Sequence, residues 1–488
     1  DAITRLPFEA VGLDFIEGKK NIELLTQKPP HPGTALIAGV ISGRNIWKAD
    51  KGATEHLLEV IKRLCPEVIV GTSCSLLHVP VSIDGETRLD AKIRDKLSFA
   101  KEKLDELVFF ASREYTAAHG TTAANTTRET RQILPDTSET TRTPSRSDRR
   151  KIQDKRFCFP QLPATTIGSF PQTHELRMLR AQKRRHEITE EAYDKSIRQM
   201  IQECISFQEE IGLDVLVHGE FERTDMVEFF SDGLEGFVYT SAGWVQSYGT
   251  RCVKPPIIAD DVRRKRSLTV ETAVYAQSLS KKPVKGMLTG PVTILNWSFP
   301  REDISRADIC FQIARALRDE VLDLEANGIS IIQIDEAALR EKLPLRAEDW
   351  RSDYLDWAIP AFRLTHAQVR PETQIHTHMC YSEFSDIIGE IDAMDADVIS
   401  FEASRSHLSI LESLAASNFQ TAVGPGVWDI HSPRIPTVEE FVSTISALPS
   451  FAGGIWINPD CGLKTRGNRE ARESLRNMME AVKRVRQK

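Results

Sequence analysis

Residues 374–380 read QIHTHMC, and residues 397–403 read DVISFEA. Each is a short, largely apolar run that ends in side chains able to bind or react. Six further runs share that form: TTIGSF (165–170), DVLVHGE (214–220), KGMLTGP (285–291), IIQIDE (331–336), TAVGPGVWD (421–429) and GIWINPDC (454–461). Helically patterned segments such as ITEEAYDKSIRQMIQECISFQEEI, ADICFQIARALRDEVLDLEANG and VEEFVSTISAL lie among them. Nearly continuous apolar strands joined by helices predict parallel strands buried on both faces. Eight such units predict a closed (β/α)8 barrel of the TIM type, assigned to residues 161–488.

The residues with chemistry sit at the C-terminal ends of these runs: Ser169, His218, Glu220, Asp335, Glu336, His378, Cys380, Glu402, Asp429, Asp460 and Cys461. A barrel gathers its strand ends and following loops at one face, and its active site lies there. Any one of these side chains alone could be a hydrogen-bonded strand cap. Their recurrence at strand after strand argues for a shared site.

Within that set, His378, Cys380, Glu402 and Cys461 form a zinc-type ligand group. Residues i and i+2 of a strand share a face, so His378 and Cys380 point the same way, and zinc takes about four N, S or O ligands. His376 shares the face but lies deeper, and is excluded as a ligand. There is no local Cys-x-x-Cys pair, so the arrangement is not a zinc finger. Ligands drawn from three strands would place the metal at the mouth. Two thiolates and a carboxylate outweigh a +2 ion, which makes the metal a poor activator of water and suits a thiol substrate held as thiolate. Alkyl transfer to sulfur fits this set better than hydrolysis.

Size and composition bound the rest. The chain has 488 residues, 41% hydrophobic and 27% charged, with a net charge of −7. That is enough for two or three domains and argues against nucleic-acid binding as a main role. No apolar run reaches membrane-spanning length, and the N-terminus has no signal-peptide pattern. Eight scattered cysteines predict a reduced, cytoplasmic protein. A monomer with no membrane or nucleic-acid partner is expected. The chain does not begin with Met, which suggests processing or a piece of something longer.

Residues 115–160 are polar and rich in Thr and Arg and are expected to form a linker. Their basic run, RRKIQDKR, is expected to be solvated. Residues 1–114 echo the barrel. LIAGVISGRNIW resembles TAVGPGVWDIHS, VIVGTSCSL resembles IWINPDCGL, and one offset of 387 residues relates both Gly39 to Gly426 and Cys74 to Cys461. This reads as an internal duplication. It makes residues 1–114 the C-terminal part of a first barrel, with about five of that barrel's strands outside the sequence.

The motifs HTHMCYSEF, DVISFEASRS, GPGVWDIHSP, INPDCGLKTRG, TTIGSFPQT, VLVHGEFERTDMVEFF, SYGTRCVKPP, MLTGPVTILNWSFPRED and IIQIDEAALREKLPLR closely resemble cobalamin-independent methionine synthases, across residues 161–488. GRNIWKAD and SCSLLHVPV resemble the N-terminal barrel of that family. The resemblance implies transfer of a methyl group from 5-methyltetrahydropteroyltriglutamate to homocysteine, with zinc (Zn2+) holding the sulfur. It implies zinc ligation by His378, Cys380, Glu402 and Cys461. Ile167, Gly168 and Ser169 would hold the homocysteine carboxylate, and Glu220 and Asp335 its ammonium. Arg251, Cys252, Trp297 and Glu341 would contact the methyltetrahydrofolate polyglutamate, and His431 would supply a proton to the departing folate nitrogen. Asp429 is a plausible orienting partner for His431. Three positions depart from the family's pattern: Ala337 where Pro is expected, Phe221 where a small residue or Pro is expected, and Asn296 where Cys is expected. Alternatives of a different kind are alkyl transfer to another thiol, and a zinc-binding relic without turnover.

Overall fold

A computed structural model describes residues 6–112, 134–247, 252–380, 384–404 and 409–487. It divides into two compact units. One comprises the N-terminal residues with Phe237–Asp260 and Ser298–Asp303, and the other holds the remainder from Gln132 onward.

The N-terminal unit is built on three parallel strands, β1 (Ala10–Asp14), β2 (Ala35–Ile41) and β3 (Val68–Thr72), in that order. Helix α1 (Lys51–Leu64) is opened by the Asp50 side chain, which accepts from the Ala53 N–H. It buries Leu58 and Ile61 with Leu36, Ala38, Val40, Phe110 and others in a single core. Phe110 comes from α2 (Ala100–Ala111). The opposite side of the sheet is less covered: Ile37 and Ile69, paired in register, are 38% and 49% exposed.

The second unit is the expected barrel. Five consecutive strands pair in parallel: β4 (Gly286–Thr289), β5 (Ile331–Asp335), β6 (Gln374–Met379), β7 (Val398–Phe401) and β8 (Ala422–Pro425). Single parallel bridges complete the ring. Val423 and Gly426 pair with Ile455 and Asn458, Ile457 pairs with Ala164, Ser169 with Gly219, and Leu216 with Val284. All eight sequence runs therefore close on one another. The first, second and eighth hold their neighbours through isolated contacts rather than long ladders.

The outer helices start and stop where local chemistry dictates. In α4 (Glu190–Ile211), Thr189 accepts from the Ala192 N–H, Glu190 and Glu191 occupy the first turn, and Gly212 ends the helix at φ 87°. In α6 (Arg306–Ala326), Ser305 accepts from the Asp308 N–H, and the inner face buries Ile309, Phe311, Ile313, Leu317, Val321 and Leu324. Among the described residues, no helix is long and apolar enough to cross a membrane.

The reading of 115–160 as a linker is corrected for its described part, while 115–133 lie outside the described residues. Residues 146–157 form a helix, α3 (Arg146–Phe157), started by the Ser145 hydroxyl. Its basic run is solvated only in part: Lys151, Lys155 and Arg156 are exposed, but Arg149 is buried. Arg142 Nη1 and Arg149 Nε reach the two oxygens of Asp397 at 2.8 and 3.3 Å, Arg149 Nη2 reaches Asp395 at 2.8 Å, and Gln153 donates to Asp397 at 3.1 Å. Arg142 and Arg149 are 4% and 1% exposed. Both guanidiniums hold the Asp397 carboxyl down at about 2 against the opposing pull of burial. Phe157 and Phe159 pack on Val215, Ile331, Val398, Ala422 and Trp456, which lie at strand beginnings. The segment thus covers the end of the barrel opposite the strand termini that carry chemistry. The barrel unit also starts earlier than 161 and cedes Phe237–Asp260 and Ser298–Asp303 to the N-terminal unit.

Candidate functional site

His378 and Cys380 follow one another at the end of β6, and Cys461 stands at the end of the eighth run. Their ligand atoms, one each, lie within 4.8 Å of one another. The imidazole is pre-set. His378 Nδ1 lies 2.9 Å from Ser400 Oγ, while Ser400 donates its own proton to the Thr377 carbonyl at 3.3 Å. Ser400 can then only accept from His378, so Nδ1 carries the proton and Nε2 presents its lone pair. That Nε2 is buried and has no N or O partner. A second-neighbour hydroxyl that fixes the tautomer of a ligating imidazole is a usual feature of metal sites.

The sulfurs of Cys380 and Cys461 approach to 3.1 Å. The Cys380 thiol, then burial opposing it and the His378 charge, set Cys461; the net effect holds it well below the ordinary thiol range. Cys380, facing the Cys461 sulfur in a buried place, is pushed well above that range. Burial works against a charged His378, but the neighbouring Cys461 raises its pKa. Two soft sulfurs and an available imidazole nitrogen fit a zinc-type ion. The fourth expected ligand, Glu402, is not within the 4.8 Å set. It lies at the end of β7, 9% exposed at its side chain, with Oε1 3.9 Å from His431 Nε2. The loop that carries it is held by Asp460, which accepts from the Ala403 and Ser404 N–H groups at 3.0 and 3.1 Å and from the Ser404 hydroxyl.

Beside this cluster stand Ile167–Ser169, Glu220 and Asp335. A Cβ on Gly168 would lie 2.6 Å from Glu220 Oε1 and 2.7 Å from Met287 Cε, so glycine is what admits the Glu220 carboxylate. Glu220 itself has φ 57°, a left-handed conformation that costs a side-chain-bearing residue energy and clusters at functional sites. Asp335 is half-buried at the end of β5, and desolvation pushes its carboxyl up to about 7, with Glu220 adding to the rise and His378 and Lys285 opposing it. Ser169 packs against Gly462, the residue after Cys461, and accepts from the Leu463 N–H at 2.8 Å. The expected amino-acid residues and the expected metal residues are therefore contiguous.

The remaining expected residues divide. Trp297 Nε1 donates to Glu341 Oε2 at 2.7 Å, so these two meet. Cys252 belongs to the N-terminal unit, where it pairs with Gln246, and Arg251 lies outside the described residues. His431 occupies a turn. Asp429 does accept from His431, but from its backbone N–H at 2.8 Å.

Two strand-end carboxylates have structural tasks. Glu336 accepts from the Val292 and Thr293 N–H groups at 3.0 and 2.8 Å, which satisfies the start of α5 (Pro291–Asn296). Glu222, beside His218 at 3.0 Å and Arg223 at 2.8 Å, neutralises a buried cluster. His376 lies deeper, bonded to Gln374 and edge-on to Trp456, as its exclusion from the ligand set anticipates. Asn296, at the departing position, is fully engaged: it donates to Ala338 O and Tyr354 Oη and accepts from Arg306. Sequence reasoning missed Ser400, Gln333 and Lys285. Only the register that pairs His378 with Ser400 and Met287 with Gln333 points to them.

A closed parallel barrel with a His/Cys/Cys cluster at its mouth defines a class of thiol-rich, metal-ready (β/α)8 proteins. Comparison with known proteins places the chain within that class. Residues 162–484 match the family described as cobalamin-independent synthase, catalytic domain, and residues 1–66 match its N-terminal domain. The chain belongs to the cobalamin-independent synthase family. It is 53% identical over 495 residues to the 5-methyltetrahydropteroyltriglutamate–homocysteine methyltransferase of Lactococcus lactis subsp. lactis (strain IL1403), covering 99% of this chain and 65% of that protein. It is 55% identical over 499 residues to the protein of that name from Streptococcus thermophilus (strain ATCC BAA-491 / LMD-9), covering 99% and 66%. The chain thus spans 65–66% of the length of these curated relatives. A solved B12-independent methionine synthase from Shewanella sp. W3-18-1, in complex with selenomethionine, superposes with a TM-score of 0.56 at 21% identity, covering 67% of this chain and 98% of that one. That likeness supports the fold.

Proposed function

We propose that this chain carries the zinc and amino-acid site of a methyltransferase that moves the methyl group of 5-methyltetrahydropteroyltri-L-glutamate to L-homocysteine, giving methionine. The observation that carries the reading is the His378–Cys380–Cys461 cluster lying beside Gly168, Glu220 and Asp335. The names of the 53–55% identical relatives point the same way.

His378 Nε2, Cys380 and Cys461 would hold zinc, with Glu402 as the fourth ligand after rotation away from His431. Zinc, when bound, holds a substrate thiol as a nucleophilic thiolate at neutral pH. The peptide N–H groups of Ile167–Ser169 and the Ser169 hydroxyl suit a carboxylate. Glu220 and Asp335 suit an ammonium. In the transfer, the methyl carbon leaves folate N5 and bonds to sulfur, so N5 must gain a proton to depart as a neutral amine. His431 is assigned that proton, because an imidazole can both hold and deliver one. Trp297 offers a face for the pterin and Glu341 an acceptor for its amino groups, with Arg251 and Cys252 as further folate contacts.

The same reading takes β1–β3 as a repeat of the last three barrel strands. Leu36 pairs with Val68 as Val423 pairs with Ile455, and Gly39 with Gly71 as Gly426 with Asn458, so the pairing step is 32 residues in both.

Zinc analysis with X-ray absorption at the zinc edge tests the function. The expected result is about one zinc per chain, gaining a sulfur neighbour when homocysteine is added. No zinc, or zinc unaffected by homocysteine, would overturn it. The same gain with cysteine or 2-sulfanylethanesulfonate but not homocysteine would favour another thiol as substrate.

A further inference from the structure

Lys285 stands immediately before β4, is 1% exposed, and points its ammonium into the barrel. Fully buried lysines are rare unless paired. Two of its hydrogens are accounted for by the Thr166 carbonyl and by Gln333 Oε1, each at 2.8 Å. Gln333, 0% exposed, sends Nε2 to the Ile167 carbonyl and to Asp335 Oδ1, again at 2.8 Å each. An ammonium can only donate. It therefore forces the oxygen of Gln333 toward itself and the two N–H groups toward Ile167 and Asp335. A single buried charge fixes the orientation of an amide, and that amide grips both sides of the pocket next to the metal cluster.

We propose that Lys285 is a positioning residue for an α-amino-acid substrate: through Gln333, which is itself anchored on the Ile167 carbonyl, it fixes Asp335 in the place that receives the substrate's ammonium. This rests on the amino-acid reading given above. Lys285 touches neither substrate nor metal. A core lysine with no such role would support the strand ends alone and would affect all ligands of the pocket alike.

The test uses the zinc-loaded full chain and two thiols that differ only in the amine, homocysteine and 4-sulfanylbutanoate. Dissociation constants are measured for wild type, Lys285→Met, Gln333→Met and the double variant, with zinc content and thermal midpoint recorded for each. Wild type should bind homocysteine more tightly than 4-sulfanylbutanoate. Each single variant should weaken homocysteine by about tenfold or more, the scale of a hydrogen bond to a charged group, and change 4-sulfanylbutanoate by less than about twofold. The double variant should lose little more than either single one, because both act through one chain of bonds. Zinc content should stay at the wild-type value. Equal weakening of both thiols, or of neither, would overturn the role of Lys285 while leaving the amino-acid reading standing. Wild type that fails to tell the two thiols apart would overturn the amino-acid reading itself. Should Lys285→Met not fold, Gln333→Met, which keeps the lysine, carries the same comparison.

Discussion

The N-terminal sheet and the barrel use the same kind of strand, and only the barrel closes. Ile37 and Ile69 of the sheet are 38% and 49% exposed, whereas Gly424 and Trp456, the positions 387 residues later, are buried. Among the described residues, β1 and β3 each have one neighbour, while every barrel strand has two. The difference teaches that an apolar strand does not bury itself. Burial on the second face comes from closure, which needs all the strands.

Chemistry follows the same divide. Cys74 and Cys461 are related by the 387-residue offset, yet among the described residues only Cys461 meets a second cysteine and a histidine. The sharpest way to break the comparison is therefore Cys461→Ser beside Cys74→Ser. Under the proposed function, metal analysis and a methyl-transfer assay should show zinc lost and turnover down by more than about a hundredfold in the first, with both unchanged in the second. If Cys74→Ser also loses zinc, the site is misassigned.

Next in size are buried contacts unique to the barrel unit. Arg149→Met leaves Asp397 with Arg142 and Asp395 with Arg146 as their remaining guanidiniums, and should cost about 3 kcal/mol by denaturant unfolding. The exposed Lys101–Asp84 pair of the N-terminal unit should show no measurable loss when Lys101 becomes Met. Trp456→Ala, which empties the floor under Phe159, should cost about 3–5 kcal/mol.

A pH titration sharpens the same point. Asp397 titrates at about 2 in the folded chain, below the unfolded value of about 3.9. Its contribution is complete above the unfolded value and is lost as pH falls through the folded one. Stability should drop by roughly 2 kcal/mol over that window, and Asp397→Asn should flatten this part of the curve while lowering stability at pH 7. The smallest effect is expected at Ile69→Thr, a few tenths of a kcal/mol, because its side chain is half in water already. A large loss there would show that the exposed face is covered in solution.

These contrasts also mark what could be read in advance. The eight runs and their chemical ends were legible because strand burial and strand-end placement are local patterns with period and position. The grouping of His378, Cys380 and Cys461 was legible for the same reason. The Arg-rich segment 134–157 was misread because a charge looks solvated until its partner is known, and Asp397 lies more than two hundred residues away. Phe237–Asp260 and Ser298–Asp303 left the barrel unit without any sign in composition.

By itself the sequence determined the number of barrel strands, their parallel order and which residues end them, since these depend on neighbours along the chain. Tertiary structure alone decided the tautomer of His378 through Ser400, the orientation of Gln333 through Lys285, and the burial of Arg142 and Arg149. Each of those is a pairing across strands or segments far apart in sequence. A hydrogen bond or a buried charge takes its direction and its cost from the partner that folding brings to it.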